Sequence, residues 1–437
     1  MAGIIPSNAP ELERGTHLGV SPSETIELDP SSSIQPSDGK ETWKHPRSNV
    51  LKTIACFWSF AIAGLNDGAY GALLQYIEAY YGLTYTVVSI IFLVPFIGYT
   101  VAAGLNQKIH TSFGQRGVAI GCSSCHLIAF VIMALHPPYP VLVIAFLFAG
   151  LGNGIAEGGW NSYIGRLERA NELLGLLHGA YAFGAVISPL VATAIVTQAG
   201  ASWYVFYYIL IGLTVLECII VISGFWGVTA AQYKKSMTRA NDSAASEDSR
   251  LLDALIKRPL ARITWLCSAF LLGYVGIEVA LGGWIIVFMV QVRQGEAFAS
   301  GMVGTGFWLG IAVGRVVLGF VTPKIGERLA ISASFPSTWS ITLVLTGMSV
   351  SLQGFFLGPL FPAAIVVLSK LLPPHLHVGV IGFAAAIGGS GGAVLPFAIG
   401  AIAQAKGVQV LQPVILALAC VITILWFCLP RTNKKIE

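Results

Sequence analysis

From about residue 52 onward the chain alternates long apolar runs with short polar connections. Each run holds about 20 residues with few charges, the length a helix needs to cross roughly 30 Å of hydrocarbon. Transmembrane β-strands would be about half as long and would alternate apolar with polar residues. The runs predict membrane-spanning helices near 52–76, 86–105, 117–135, 140–163, 174–197 and 203–227, then 262–290, 299–322, 350–369, 378–402 and 410–429. Residues 1–51, rich in Ser, Pro, Glu and Asp, can bury no core and are expected to form a disordered tail. They contain no apolar stretch suited to a cleaved signal peptide, so the first span is expected to act as the targeting signal. Residues 229–261, with Lys234, Lys235, Arg239, Lys257 and Arg258, read as a linker between transmembrane halves 52–228 and 262–430; a short tail, 431–437, follows.

Composition sharpens this picture. The 437 residues are 55% hydrophobic and 11% charged, which excludes an ordinary water-soluble domain. A net charge of +4, with basic residues scattered between apolar runs, argues against a nucleic-acid partner. The seven cysteines lie inside apolar runs and read as packing residues, the isolated Cys122-x-x-Cys125 pair included. The glycine run Gly388–Gly392 follows no strand, so it suits close helix crossing better than a phosphate loop. No nucleophile–base set or metal-ligand spacing is evident. The expectation is an all-α polytopic membrane protein, not an enzyme, without cofactor or metal, whose partners are the bilayer, a small solute and protons, and which works as a monomer.

Lys and Arg set the orientation, because positively charged loops resist translocation. With a cytoplasmic N-terminus nearly all of them face inward, and Arg293 and Lys406 face outward. The plasma membrane is the expected location, with the vacuolar membrane as the alternative. The same count exposes a compression. Lys324, Arg328 and Lys370 are all inward, so residues 329–369 must cross twice, and the first crossing is Ser- and Thr-rich with Pro336 inside it. Eleven spans are therefore clear, and the ninth helix is expected to be short or defective.

The halves echo each other. Gly184-Ala-Val-Ile-Ser-Pro189 in the fifth span parallels Gly392-Ala-Val-Leu-Pro396 in the eleventh, Asp67 in the first parallels Glu278 in the seventh, and Phe113-Gly-Gln-Arg116 parallels Ile325-Gly-Glu-Arg328. Parallel six-helix repeats are the architecture of alternating-access carriers, with the solute site near mid-membrane between them. On these residues, together with Gly104-Leu-Asn-Gln-Lys108, Gly114-Gln-Arg116 and Gly314-Arg315, the chain resembles the major facilitator superfamily across residues 52–430. Within it, the chain looks most like the fucose-permease-like branch found in fungi. That branch places acids in helices one and four, where this chain has Asp67 and Glu157. The resemblance implies a gating role for the loop residues Gly104, Lys108, Gly114, Arg116, Gly314, Arg315, Gly326 and Arg328. Asn106 stands where the family usually carries an acid.

An ionised side chain at the bilayer centre costs roughly 2.5 to 3.5 kcal/mol, so intramembrane acids are functional candidates by default. A carboxyl group buried without a cation takes up a proton far more readily than in water. Asp67, Glu157 and Glu278 are the expected proton-coupling residues. Glu217 lies on a span that is peripheral in this superfamily and is given no role. Arg315, near the inner end of the eighth span, is expected to snorkel or to pair with a loop acid, leaving the central carboxylates without a permanent counter-ion. Helical spacing aligns Asp67 with Gln75 and gathers Asn153, Glu157, Trp160 and Asn161 into a polar stripe. With Asn66, Tyr181 and Trp284 these are the candidate solute contacts. His178, Tyr181 and Trp284 also admit a packing role, and Trp284 suits an outer aromatic belt equally.

One proton moving down about 100 mV and one pH unit releases about 3.7 kcal/mol, enough to hold a neutral solute gradient of several hundredfold. The leading expectation is proton-coupled symport of a sugar-like polar solute. An antiporter exporting a metabolite or drug is the alternative, because Ser188-Pro189 is a reduced form of the antiporter Gly-Pro pattern. A non-transporting receptor or inactive relative is the third, motivated by the compressed ninth helix.

Overall fold

The computed structural model describes residues 41–231, 255–257, 260–344, 347–372 and 377–430. Most of the expected N-terminal tail and linker, and the C-terminal tail, lie outside these residues. The described chain is helical, with no strands among its elements. The first half comprises α1 (Ser48–Tyr81), α2 (Ile90–Phe113, entered through a short helical turn at Tyr85–Val88), α3 (Gln115–Ala134), α4 (Tyr139–Ile164), α5 (Ala170–Thr197) and α6 (Val205–Phe225). The second comprises α7 (Leu260–Gln291), α8 (Ala297–Ile325), α9 (Glu327–Val344), α10 (Gly347–Leu357), α11 (Leu360–Leu371), α12 (His377–Lys406) and α13 (Leu411–Cys428). Among the described residues eleven segments are long and apolar enough to cross a membrane, α10 and α11 counting together as one. Their outward faces expose large apolar side chains such as Ile54, Phe183, Ile219, Phe320 and Phe427, the inverse of a soluble surface.

The compressed ninth crossing is a continuous helix of 18 residues, α9, about 27 Å long at 1.5 Å per residue. Two of its hydroxyls bond back to the helix itself. Ser334 Oγ donates to the Ala330 carbonyl at 3.0 Å and Thr338 Oγ1 to the Ser334 carbonyl at 3.0 Å. The tenth crossing is broken instead, between α10 and α11 at Gly358-Pro359. Pro362 has no N–H to offer the Gly358 carbonyl four residues back, so that acceptor is free for another donor.

The internal repeat has a structural counterpart at the junctions. Gly114 between α2 and α3 has φ 72°, and Gly326 between α8 and α9 has φ 89°, backbone conformations that side chains with a Cβ rarely adopt. At Gly114 a Cβ would also overlap the Val228 carbonyl, where the chain leaves α6. The repeat extends to packing: α1 lies closely against α5, and α7 against α12.

The halves meet at the end of the bundle remote from these junctions. Tyr85 N–H donates to Gln404 Oε1 at 2.7 Å, and Tyr85 O–H to Gln291 Oε1 at 2.7 Å. At the same end, a Cβ on Gly71 of α1 would overlap the Gly282 carbonyl of α7, and Gly301 of α8 lies against Thr193 of α5. Such backbone approach is possible only where side chains are absent. Gly71→Val is therefore expected to force this end open. Bismaleimide cross-linking between Tyr85→Cys and Gln291→Cys should fall severalfold when Gly71→Val is added, and an unchanged yield would show that the glycine contact does not control closure.

Candidate functional site

Asp67 sits midway along α1, half-buried, and its carboxylate accepts hydrogen bonds from three uncharged side chains. Asn66 Nδ2 donates to Oδ1 at 3.0 Å, Tyr181 O–H of α5 donates to Oδ2 at 3.0 Å, and Asn153 Nδ2 of α4 straddles both oxygens at 3.3 Å. Asn66 is itself buried and donates onward to Tyr70 O–H at 2.8 Å. One turn along α4 from Asn153 is Glu157, half-buried, whose Oε1 accepts from Asn161 Nδ2 at 2.9 Å. Among the described residues neither carboxylate is paired with Lys or Arg. These neutral donors support the ionised carboxylate without cancelling its charge, which leaves the group able to take up a proton.

The expected site divides on this geometry. Asp67, Asn66, Asn153 and Tyr181 come together, and Glu157 with Asn161 lies beside them. Gln75 is two turns further along α1, about 12 Å from Asp67 toward the closed end. Trp160 turns out of the polar stripe: it is fully buried, stacks on Phe225 of α6 at 4.7 Å between centroids, and donates its Nε1–H to Ser59 Oγ at 3.2 Å. Trp284 is also fully buried, with Nε1–H donating to the Pro396 carbonyl at 3.0 Å and its ring edge-on to Tyr85. Its burial removes it from an outer belt, and it ties α7 to α12 at the proline of the repeat. His178 packs edge-on to Phe60.

Two pairings depart from the expectations. Glu278 does have a counter-ion: Arg315 Nη2 donates to its Oε1 at 2.7 Å, joining α8 to α7, while Nε reaches the Gly358 carbonyl at 3.4 Å. The guanidinium thus fills the acceptor that Pro362 left open and does not snorkel to the surface or meet a loop acid. Glu217 is fully buried and engaged rather than peripheral. Its Oε1 accepts from Ser59 Oγ at 2.6 Å and its Oε2 lies 3.1 Å from His126 Nδ1 of α3. His126 Nε2 lies 3.0 Å from Asn153 Oδ1, so the pair continues directly to Asp67. The available signal was two titratable residues in apolar runs of the same half, which low-dielectric surroundings drive to find each other.

The junction residues serve the ends of helices. Arg116 stacks over the Trp226 ring at 5.2 Å and takes the Val228 carbonyl with its backbone N–H at 3.2 Å. Gly104 and Lys108 are exposed on α2, and Asn106, in the family's acidic position, donates to the Gly154 carbonyl of α4 at 3.0 Å. In the second half Arg328 caps the C-terminus of α13 through the Leu429 carbonyl at 2.8 Å, and the neighbouring Glu327 pairs with Lys370 at 2.7 Å. Gly314 lets α8 lie against the Phe355 carbonyl of α10.

Comparison with known proteins gives the same architecture. Residues 56–352 match the Major Facilitator Superfamily. The chain is 30% identical over 421 residues to Bypass of stop codon protein 6 of Saccharomyces cerevisiae, covering 89% of this chain and 84% of that protein. It is 24% identical over 370 residues to the glucose/mannose transporter GlcP of Bacillus subtilis, covering 81% and 88%. Among solved structures it resembles a D-xylose-proton symporter, with TM-score 0.69 and 13% identity over 88% of this chain and 98% of that one. It also resembles the nucleoside transporter NupG, with TM-score 0.70 and 13% identity over 87% and 100%. The chain therefore belongs to the major facilitator superfamily and is a multi-pass membrane transporter built from two helical halves.

Proposed function

We propose that this transporter moves a small, uncharged, hydroxyl-rich solute together with a proton, with Asp67 and Glu157 as the proton-loading carboxylates. The observation that carries the reading is the Asp67 shell, a mid-helix carboxylate held by three neutral donors from α1, α4 and α5. An unmatched negative charge resists a state closed to water at both ends, and protonation removes that resistance. Glu278 differs because Arg315 already neutralises it, so in this reading the pair stays charged and fastens α7 to α8. Amide and phenol groups from Asn153, Asn161 and Tyr181 supply the donors and acceptors that a sugar-like solute needs. The names of the glucose/mannose transporter and the D-xylose-proton symporter support the same solute class and energy source.

With the N-terminus in the cytoplasm, the orientation the basic loops favour, the end closed by Tyr85 and Gly71 is the outer one. The arrangement then corresponds to an inward-facing carrier in the plasma membrane. Solute and proton would leave together as Asp67 is rehydrated. Rocking of the halves that separates the glycine contact and closes the opposite end would return the site outward.

Protein in liposomes with a trapped pH dye tests this directly. Addition of aldoses outside should acidify the lumen, and the initial rate should fall at least tenfold in Asp67→Asn and in Glu157→Gln while protein abundance stays constant. Lumenal alkalinisation would mean exchange and would replace symport by export. The ion pair makes a separate prediction. Arg315→Met should lower unfolding stability by about 2 to 3 kcal/mol, less than the ~3 to 5 of a fully enclosed pair because a third of the Arg315 side chain is exposed. Arg315→Met with Glu278→Leu should recover most of that loss in the same unfolding assay. Equal losses in the single and double variants would show that the pair is not the source.

A further inference from the structure

Behind Asp67, away from solute, His126 and Glu217 are almost completely enclosed, with 1% and 0% of their side chains exposed. The hydrogen bonds leave little freedom in how this pair is arranged. Asn153 presents its amide nitrogen to both oxygens of Asp67, because only the NH2 end of an amide is attracted to a carboxylate. Its Oδ1 therefore faces His126, and Nε2 must carry the hydrogen that bridges the 3.0 Å between them. Nδ1 and Glu217 Oε2 then share one hydrogen across 3.1 Å. With that hydrogen on either side the pair sums to zero charge, so it can be buried without a further ion. The other Glu217 oxygen is held as well, since Ser59 Oγ accepts from Trp160 Nε1 and so directs its own hydrogen to Oε1.

The ring is fixed in place too. It stacks on Phe130, with centroids 6.0 Å apart and planes 14° from parallel, and any Cβ at residue 152 would overlap its Cδ2, so Gly152 makes the space the ring occupies. The result is a directed chain, Trp160–Ser59–Glu217–His126–Asn153–Asp67, running across α4, α1, α6 and α3 and back to the proton site.

We propose that His126 and Glu217 are positioning residues that fix the amide of Asn153, so that Asp67 always meets a donor, and thereby set the pH at which Asp67 takes up its proton. The inference rests on Asp67 being the proton-loading carboxylate. Without Glu217 the imidazole is free to carry its hydrogen on Nδ1 with Nε2 as an acceptor, so the Asn153 amide can turn its oxygen toward the O–H of a protonated Asp67. That added partner favours the protonated carboxyl group over the ionised one. The titratable groups around this chain are Cys56, Asp67 and Tyr70 from α1, Cys122 from α3, Glu157 one turn from Asn153 on α4, Tyr181 from α5, and Tyr207 and Cys218 from α6. Among these and the pair itself, Asp67, Glu157, Glu217 and His126 ordinarily change charge between pH 3 and 8, and Asp67→Asn singles out the band of Asp67.

Infrared titration of the full chain in liposomes reads the proposal without solute, by following the carboxylic-acid band that Asp67→Asn removes. In Glu217→Leu, and in His126→Phe with Glu217→Leu, which leaves no buried charge unpaired, the midpoint should move up by about one pH unit or more. Asn153→Ala alone and Asn153→Ala added to the double variant should share one midpoint, because the pair acts through that amide. Glu217→Gln should restore the parent midpoint, since its oxygen still accepts from Ser59 and its amide nitrogen donates to Nδ1. A midpoint that stays put in both leucine variants, or the absence of any band removed by Asp67→Asn, overturns the inference. Dye measurements on the same liposomes separate the two ideas. A band that moves in protein that shows no proton-coupled uptake sinks symport and leaves the positioning role standing, whereas intact coupling with an unmoved band removes the positioning role alone.

Discussion

A carboxylate placed midway along a helix in hydrocarbon has no water to turn to, and the arrangement of the first half follows from supplying Asp67 with partners. Asn66, Asn153 and Tyr181 meet it from α1, α4 and α5, and Asn153 in turn is met by His126 of α3, whose other nitrogen meets Glu217 of α6. Five of the six helices of that half thus converge on one polar thread. In a water-soluble protein the same groups would trade partners with solvent at little net cost; in a bilayer each unpaired one costs several kcal/mol, so the thread specifies helix rotation as strongly as apolar packing does.

The second half answers the same constraint differently. Glu278 occupies the repeat position of Asp67, yet it carries an arginine, and that arginine also serves a carbonyl that proline strands in the broken tenth crossing. One half therefore keeps its acid with neutral donors and the other keeps a neutralised ion pair. Such asymmetry within a repeated architecture fits the proposed coupling, in which only acids of the first half change charge during the cycle.

Glycine sets where the halves meet. Lipid tails are as apolar as the side chains they touch, so helices gain little from apolar contact alone and depend on close backbone approach. Gly71 against Gly282 and Gly301 against Thr193 provide it at the closed end, with the Tyr85 hydrogen bonds beside them. Contacts between backbones and small side chains can separate without leaving large unfilled cavities, which fits an interface that must open and close.

The primary structure by itself determined the number, order and approximate ends of the spans, because hydrocarbon thickness dictates run length and nothing in a soluble protein imitates it. It also determined the junction glycines of the repeat and the acids of α1 and α4, which stand out chemically from their surroundings. The tertiary structure decided which polar groups touch. His126 and Glu217 lie 91 positions apart and Glu278 and Arg315 lie 37 apart, and their meeting depends on the tilt and rotation of helices, which run length does not encode. The same rotation pressed the Trp160 edge of α4 onto α1 and α6, and held Trp284 between α7 and α12. Periodicity along one helix reports a face to within about a third of a turn, whereas a hydrogen bond of 3 Å requires far finer agreement between two helices, and only their packing supplies it.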